Sequence, residues 1–299
     1  MSIHKTFKSG FVSIIGRPNV GKSTLINSLI GEKITITSEK PQTTRNTIQC
    51  VHTTEDSQIV FIDTPGIVQK QNNKLGKYME KSVSSAYSNV DAILYVVNPE
   101  TYIGRTDQNI IDSLKNVKTP VFLVINKIDT ITPNEILPII DAYKAYPFKE
   151  IVPISALKGE TNQLIETITR YLEEGPMYFP PDMITDQPEF QVASELIREK
   201  TLRYLEQEIP HGIAIEILQM KKREESDIVD LHATIFCEKE SHKGIIIGKK
   251  GAMLKKIATD SRIDIENLLG SKINMQIRVK VKKDWRNSDF LLKNFGYQI

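Results

Sequence analysis

Gly16-Arg17-Pro18-Asn19-Val20-Gly21-Lys22-Ser23 follows the short apolar run Phe11-Val-Ser-Ile-Ile15 and opens a helix-like stretch from Lys22 to Ile30. The eight residues match GxxxxGK[ST] in the strand–loop–helix setting that the pattern requires. Glycines let backbone N–H groups wrap phosphate oxygens, and a helix N-terminus adds a favourable field. Lys22 is expected at the β- and γ-phosphates, and the Ser23 hydroxyl on Mg2+. Gly16 through Ser23 are therefore candidate nucleotide contacts.

Working outward, Ile59–Ile62, Ala92–Val97 and Val121–Ile125 are further continuous apolar runs, as in strands buried on both faces of a parallel sheet. Helix patterns over Lys22–Ile30, Leu75–Tyr87, Thr106–Lys115, Pro133–Ala145 and Glu160–Tyr171 alternate with them. That alternation predicts an α/β, doubly wound P-loop domain. One antiparallel hairpin is predicted, Thr47–Thr53 and Ser57–Asp63 joined by Thr54-Glu55-Asp56.

Asp63-Thr64-Pro65-Gly66 ends a suitable strand. Asp63 can hold Mg2+ through a water, and the Gly66 N–H can touch the γ-phosphate and sense its loss. Between the two motifs, Glu32–Asn46 is polar and threonine-rich. A segment that closes over Mg2+ needs an oxygen there, and spacing does not choose between Thr43 and Thr44. Lys22, Asn19, Thr43, Thr44 and Gly66 are the candidate catalytic residues, and Ser23, Thr43, Thr44 and Asp63 the candidate metal ligands.

Asn126-Lys127-Ile128-Asp129 follows another buried run and matches NKxD. Asp129 can accept hydrogen bonds from guanine N1–H and the exocyclic amine. Adenine presents neither there, a difference that separates ligands by roughly 10⁴-fold. Asn126 is expected to brace the loop and the Lys127 stem to pack on the base. Ser155-Ala156-Leu157 is expected to bring a backbone N–H near guanine O6. All four motifs stand at strand ends, where open α/β sheets bind ligands. GTP and GDP are the expected ligands, with Asp63, Thr64, Pro65, Gly66 and Ile67 completing the contact set.

Ile67 follows DxxG and cannot orient water as the glutamine of many small GTPases does. Turnover on the order of 10⁻⁴ to 10⁻² s⁻¹ is expected for an incomplete catalytic set. Asn19 is either a ligand for a K+ ion near the transferred phosphate or a loop residue capping local backbone.

Gly175–Pro188 contains Pro176, Pro180, Pro181 and Pro188, a density that stops helices and strands. It divides a nucleotide-binding domain, 1–174, from a second domain, 191–299, with 175–190 as linker. Beyond it come an amphipathic helix pattern over Gln191–Gln207, strands over Ile213–Met220 and Ile228–Cys237, a helix over Ala252–Leu269 and a strand over Lys272–Val281. Gly248-Lys249-Lys250-Gly251 lies in the GxxG context with which KH domains clamp about four nucleotides. Lys239, Lys243, Lys255, Lys256, Arg278, Lys280, Lys282, Lys283 and Arg286 make its surroundings basic, an electrostatic footprint for nucleic acid. Gly248, Lys249, Lys250, Gly251, Lys243, Lys255 and Lys283 are the candidate RNA contacts. Trp285 and Phe290 can stack on bases or, with Tyr297, pack the tail.

The chain has 299 residues, enough for two domains. Lys and Arg total 39 against 37 Asp and Glu, so the basic C-terminal region is a local asymmetry. The two cysteines, Cys50 and Cys237, lie far apart with no CxxC, which argues against a zinc site or disulfide framework and fits a reducing cytosol. Met1–Lys8 has no apolar signal region, and no apolar run approaches the roughly 18 residues that span a bilayer. An integral membrane protein is not expected; peripheral association stays open.

Gly16–Ser23, Pro41-Gln42-Thr43-Thr44-Arg45, Asp63–Ile67, Asn126–Asp129, Ser155–Leu157, the Gly244–Gly251 stretch and the tail from Trp285 together resemble the Era family of bacterial GTPases over nearly the whole chain. The resemblance implies a type II KH fold of α+β class and binding near the 3′ end of 16S rRNA. It further implies maturation of the small (30S) ribosomal subunit, a cytoplasmic location with peripheral association at the inner membrane, and a monomer. Two readings compete: a GTP-controlled switch on RNA, or a constitutive RNA-binding scaffold in which GTP is mainly structural.

Overall fold

The structure, a computed structural model, describes residues 6–38, 40, 43–66, 73–85 and 89–297, with 83–85 as backbone only. Two compact units make up the chain. The first comprises Met1–Thr37, Thr44–Gln69 and Glu80–Asp186, and the second Ser38–Thr43, Lys70–Met79 and Gln187–Ile299.

The first unit is built on β1 (Lys8–Ile15), β2 (Ile48–Thr53), β3 (Ser57–Asp63), β4 (Ala92–Val97), β5 (Val121–Ile125) and β6 (Ile151–Pro153). They form one sheet in the order β2-β3-β1-β4-β5-β6. All neighbours are parallel except β2 and β3, the predicted hairpin. The Thr54 side chain closes that hairpin, with its Oγ1 2.9 Å from Asp56 Oδ1 and 2.8 Å from Ser57 Oγ. Every side chain of β4 and β5 is buried, which is why these strands read as unbroken apolar runs. The crossovers carry α1 (Lys22–Ile30), α2 (Lys74–Ser85), α3 (Arg105–Leu114), α4 (Pro133–Tyr143) and α5 (Asn162–Tyr171), of which α2 straddles the division between the units. α4 starts where Pro133 is tolerated, behind a Thr132/Glu135 capping box.

The proline-rich stretch is not irregular throughout. The Val51 N–H donates to the Ile184 carbonyl at 2.9 Å, and the Asp186 N–H to the Gln49 carbonyl at 3.2 Å. Residues 184–186 contain no proline, so they can pair with β2 and satisfy the polar groups of an edge strand.

The second unit holds α6 (Glu189–Tyr204), β7 (Ala214–Lys222), β8 (Ile228–Cys237), α7 (Glu240–Ile247), α8 (Ala252–Leu269), β9 (Lys272–Val281) and α9 (Asp289–Asn294). Its sheet runs β7-β8-β9, with β7 antiparallel and β9 parallel to β8. Along β9 the alternation is strict: Lys272, Asn274, Gln276, Arg278 and Lys280 are exposed, while the residues between them turn inward. α6 departs from the amphipathic expectation. Residues 196–202 are buried without a break, including Arg198, Glu199 and Lys200. Pairing makes this tolerable: Lys200 Nζ reaches Glu199 at 3.2 Å and also Asp264 of α8, and Arg198 pairs with Glu195 at 2.5 Å. Trp285 packs the tail. It is fully buried, its Nε1–H donates to the Gly212 carbonyl at 2.9 Å, and its ring lies 5.4 Å from Phe295 and 6.2 Å from Tyr297. Phe290 is 73% exposed.

Candidate functional site

The strand ends of β1, β3, β5 and β6 bring the four motifs together. β1 delivers the chain to Gly16, whose φ is 151° and where a Cβ would come within 2.4 Å of the Val96 carbonyl oxygen. At Gly21, φ is 95° and a Cβ would meet Asn126 Nδ2 at 2.3 Å. Only glycine fits either place. Asn19, also left-handed at φ 65°, belongs to the residue types that tolerate that region.

Lys22 is 6% exposed, and its Nζ donates to the carbonyls of Gly16 at 3.1 Å and Arg17 at 2.9 Å. Burial brings its pKa down to about 8, against the pull of the Asp63 carboxylate. The Ser23 hydroxyl lies 3.1 Å from that of Thr44 and donates to Asp63 Oδ2 at 3.3 Å. Thr44 Oγ1 donates to the same oxygen at 3.5 Å. Asp63 is fully buried, and its Oδ1 has no hydrogen-bond partner. Burial pushes its carboxyl up to about 6, while Lys22 and the Ser23 hydroxyl oppose the shift. A dry carboxylate with an unmatched oxygen beside two hydroxyls is a donor set for a hard cation, and Mg2+ fits it.

The structure brings Thr44, not Thr43, to this cluster. Thr43 Oγ1 donates to the Lys40 carbonyl at 2.6 Å, and the Thr43 carbonyl accepts from Arg198. Thr64 turns into the sheet, its hydroxyl donating to the Ile14 carbonyl at 2.9 Å. Pro65 is buried, and Gly66 packs on the phosphate loop, where a Cβ would stand 3.0 Å from Pro18 Cα. Ile67, Pro41 and Gln42 lie outside the described residues.

At the base end, Asn126 ties three elements. Its Nδ2 donates to the Val20 carbonyl at 2.9 Å, and its Oδ1 accepts from the Ala156 N–H at 3.0 Å. Lys127, at φ 65°, reaches back to the Asn19 carbonyl at 2.6 Å. Ser155 Oγ donates to Asp129 Oδ1 at 2.5 Å and so orients the carboxylate, a role the Ser-Ala signature did not suggest. Leu157 is 78% exposed. Arg17 shows a second unpredicted contact: its guanidinium turns to Asp107 on α3. Nothing local in Thr106-Asp107-Gln108 marks that aspartate, because its partners lie in other elements.

In the second unit, α7 ends at Gly248, with φ 71° and Met253 so close that a Cβ would meet the Met253 Cβ at 2.7 Å. Gly251, at φ 80°, starts α8 and faces open space. Lys249 and Lys250 are exposed between them, Lys250 itself left-handed at φ 52°. Lys243 is half-buried on α7; Lys255 on α8 and Lys283 after β9 are exposed.

A family model described as a 50S ribosome-binding GTPase matches residues 11–127, and a KH domain model matches residues 208–286. GTPase Era of Clostridioides difficile (strain 630) is 60% identical over 294 residues, covering 97% of this chain and 99% of the relative. The chain belongs to the Era family of GTPases. The family's GTPase Era of Alkaliphilus oremlandii is 58% identical over 98% of this chain and 99% of its own length. A crystal structure of Era with MgGDPNP and nucleotides 1506–1542 of 16S ribosomal RNA superposes with a TM-score of 0.93, at 40% identity over 98% of this chain and 100% of that one. A tyrosine-to-alanine variant of Aquifex aeolicus Era bound to GDP·AlF4− gives 0.93 at 39% identity, with the same coverage. In the Era family, then, the doubly wound domain is a P-loop GTPase domain and the second unit carries a KH domain.

Proposed function

We propose that this protein is a GTP-hydrolysing switch in which a GTPase domain (1–174) and a KH domain (191–299) are joined by a linker (175–190). Through the KH domain it binds the 3′ region of 16S rRNA, and it acts in biogenesis of the 30S subunit. The observation that carries the catalytic half is the buried Asp63, with an unmatched oxygen beside Lys22, Ser23 and Thr44. Lys22 offers an already dehydrated ammonium to the phosphates, where charge counts for more than in water. Ser23, Thr44 and Asp63 would hold Mg2+, which would supply positive charge to the phosphate oxygens. Water adds to the γ-phosphorus, the bond to the β–γ bridging oxygen breaks, and GDP and phosphate are released. The Gly66 N–H reads the γ-phosphate and Asp129 reads guanine.

The neighbouring Era complex with 16S rRNA nucleotides supports the RNA half, as do the exposed Lys249 and Lys250. The family resemblance supports a cytoplasmic monomer with peripheral membrane association; no helix of the described residues is long and apolar enough to cross a membrane. Asn19 is the proposed K+ ligand: faster turnover in K+ than in Na+ supports it, and equal rates reject it. The test of the switch is RNA affinity measured with a GTP analogue, with GDP and without nucleotide, using a 16S 3′-end fragment. Affinities that differ between states support the switch; equal ones leave a scaffold.

A further inference from the structure

Asp107 stands in the first turn of α3 and is 1% exposed. A carboxylate so dry needs partners, and it has two. The Tyr95 hydroxyl donates to Oδ1 at 2.7 Å, and Arg17 Nε lies 2.9 Å from Oδ2 as an ion pair without hydrogen-bond geometry. Tyr95 is itself fully buried in β4, and burial together with Asp107 pushes its phenol far up, so it stays a donor. Glu100, in the loop after β4, adds a longer contact to Arg17 at 3.7 Å.

Arg17 is the second residue of the phosphate loop, and its carbonyl is one of the two acceptors that hold Lys22 Nζ, at 2.9 Å. The residue before it, Gly16, is pressed on Val96 of the same strand that carries Tyr95. The start of the loop is thus fixed twice from β4 and α3: by backbone contact at Gly16 and by a charged side-chain relay at Arg17. We propose that Asp107 is a positioning residue for GTP hydrolysis: held by Tyr95, it fixes Arg17 and, through the Arg17 backbone, the ammonium of Lys22. The inference rests on the GTPase reading above. It adds a residue outside the four nucleotide motifs.

Removing Asp107 leaves Arg17 only its longer contact to Glu100 and slackens the peptide that holds Lys22. A displacement of about 1 Å at such a group costs on the order of 10²-fold in rate. The experiment is steady-state GTP hydrolysis and GTP-analogue affinity on the full chain, with thermal melts, for Asp107→Ala, Arg17→Ala and the double variant. Each single substitution is expected to lower kcat/KM by roughly 10- to 100-fold below its melting range, and the double variant to be no worse than the worse single. A folded Asp107→Ala with wild-type kcat/KM overturns the proposal, and so do losses that multiply in the double variant. Should Asp107→Ala fail to fold, Asp107→Asn and Tyr95→Phe are each expected to lose about three- to tenfold; wild-type kinetics in both overturn it equally. Wild type and Lys22→Ala run alongside. A wild type that does not turn over GTP fails the GTPase reading, whereas an active wild type with an insensitive Asp107→Ala fails only the relay.

Discussion

Two loops in this molecule set lysine beside glycines and open onto a helix, and they treat the lysine in opposite ways. In Gly16–Ser23, Lys22 is buried, bonded to two carbonyls and lowered to about 8 by its surroundings. In Gly248–Gly251, Lys249 and Lys250 are exposed. The glycines differ in parallel. Gly16 and Gly21 are required by the Val96 carbonyl and Asn126, whereas Gly251 has nothing within 4 Å of a Cβ and is required only by its backbone angle. An enclosed ammonium acts on one compact polyphosphate in a low dielectric, where position decides its effect. A pair of hydrated ammoniums attracts a long polyanion largely by releasing its counterions, where number and salt decide.

The largest effect that would break the comparison is at Lys22. Lys22→Ala is expected to lower GTP turnover by about 10³-fold or more while the melting temperature stays close to wild type; near-normal turnover would remove the enclosed loop from the chemistry. Next comes the base. Asp129→Asn is expected to weaken GTP binding by about 10²- to 10⁴-fold and to favour xanthosine nucleotides, measured by competition against a labelled GTP analogue. Wild-type protein that binds ATP and GTP equally would defeat the guanine assignment.

The exposed loop is expected to fail by a different law. Lys249→Asp with Lys250→Asp keeps both glycines and should make the log–log salt slope of RNA binding shallower by about 1.4 units, at roughly 0.7 per phosphate contact. GTP turnover should stay within about twofold. Undiminished RNA binding would reject the KH loop as the contact. The smallest effect sharpens the metal cluster: Thr44→Ala is expected to raise the half-saturating Mg2+ concentration by about tenfold, and Thr43→Ala by less than about twofold, read from Mg2+ titrations of turnover. The reverse order would return the closing oxygen to Thr43.

Much of this was legible because it is written in consecutive residues. Ala92–Val97 and Val121–Ile125 were predicted to the residue, since strands buried on both faces leave an unbroken apolar signature. α8 likewise runs over Ala252–Leu269, bounded by the left-handed glycines Gly251 and Gly270. The helix over Gln191–Gln207 shows the limit. Its pattern is amphipathic, yet Arg198, Glu199 and Lys200 are buried. Their pairing with Glu195 and Asp264 lets the helix bury them.

By itself the sequence determined the alternation of strands and helices in the first domain, the four nucleotide motifs and the glycines on which two loops turn. Each of these is a preference of a short segment for one backbone conformation or one ligand. Only the tertiary structure decided that Thr44 rather than Thr43 faces Ser23 and Asp63, that residues 184–186 pair with β2, that Ser155 orients Asp129 and that Asp107 takes Arg17. Those choices depend on which groups a fold brings within hydrogen-bonding distance across dozens of residues. A buried charge or an unpaired strand edge is satisfied by whatever partner arrives there, and no local pattern names that partner in advance.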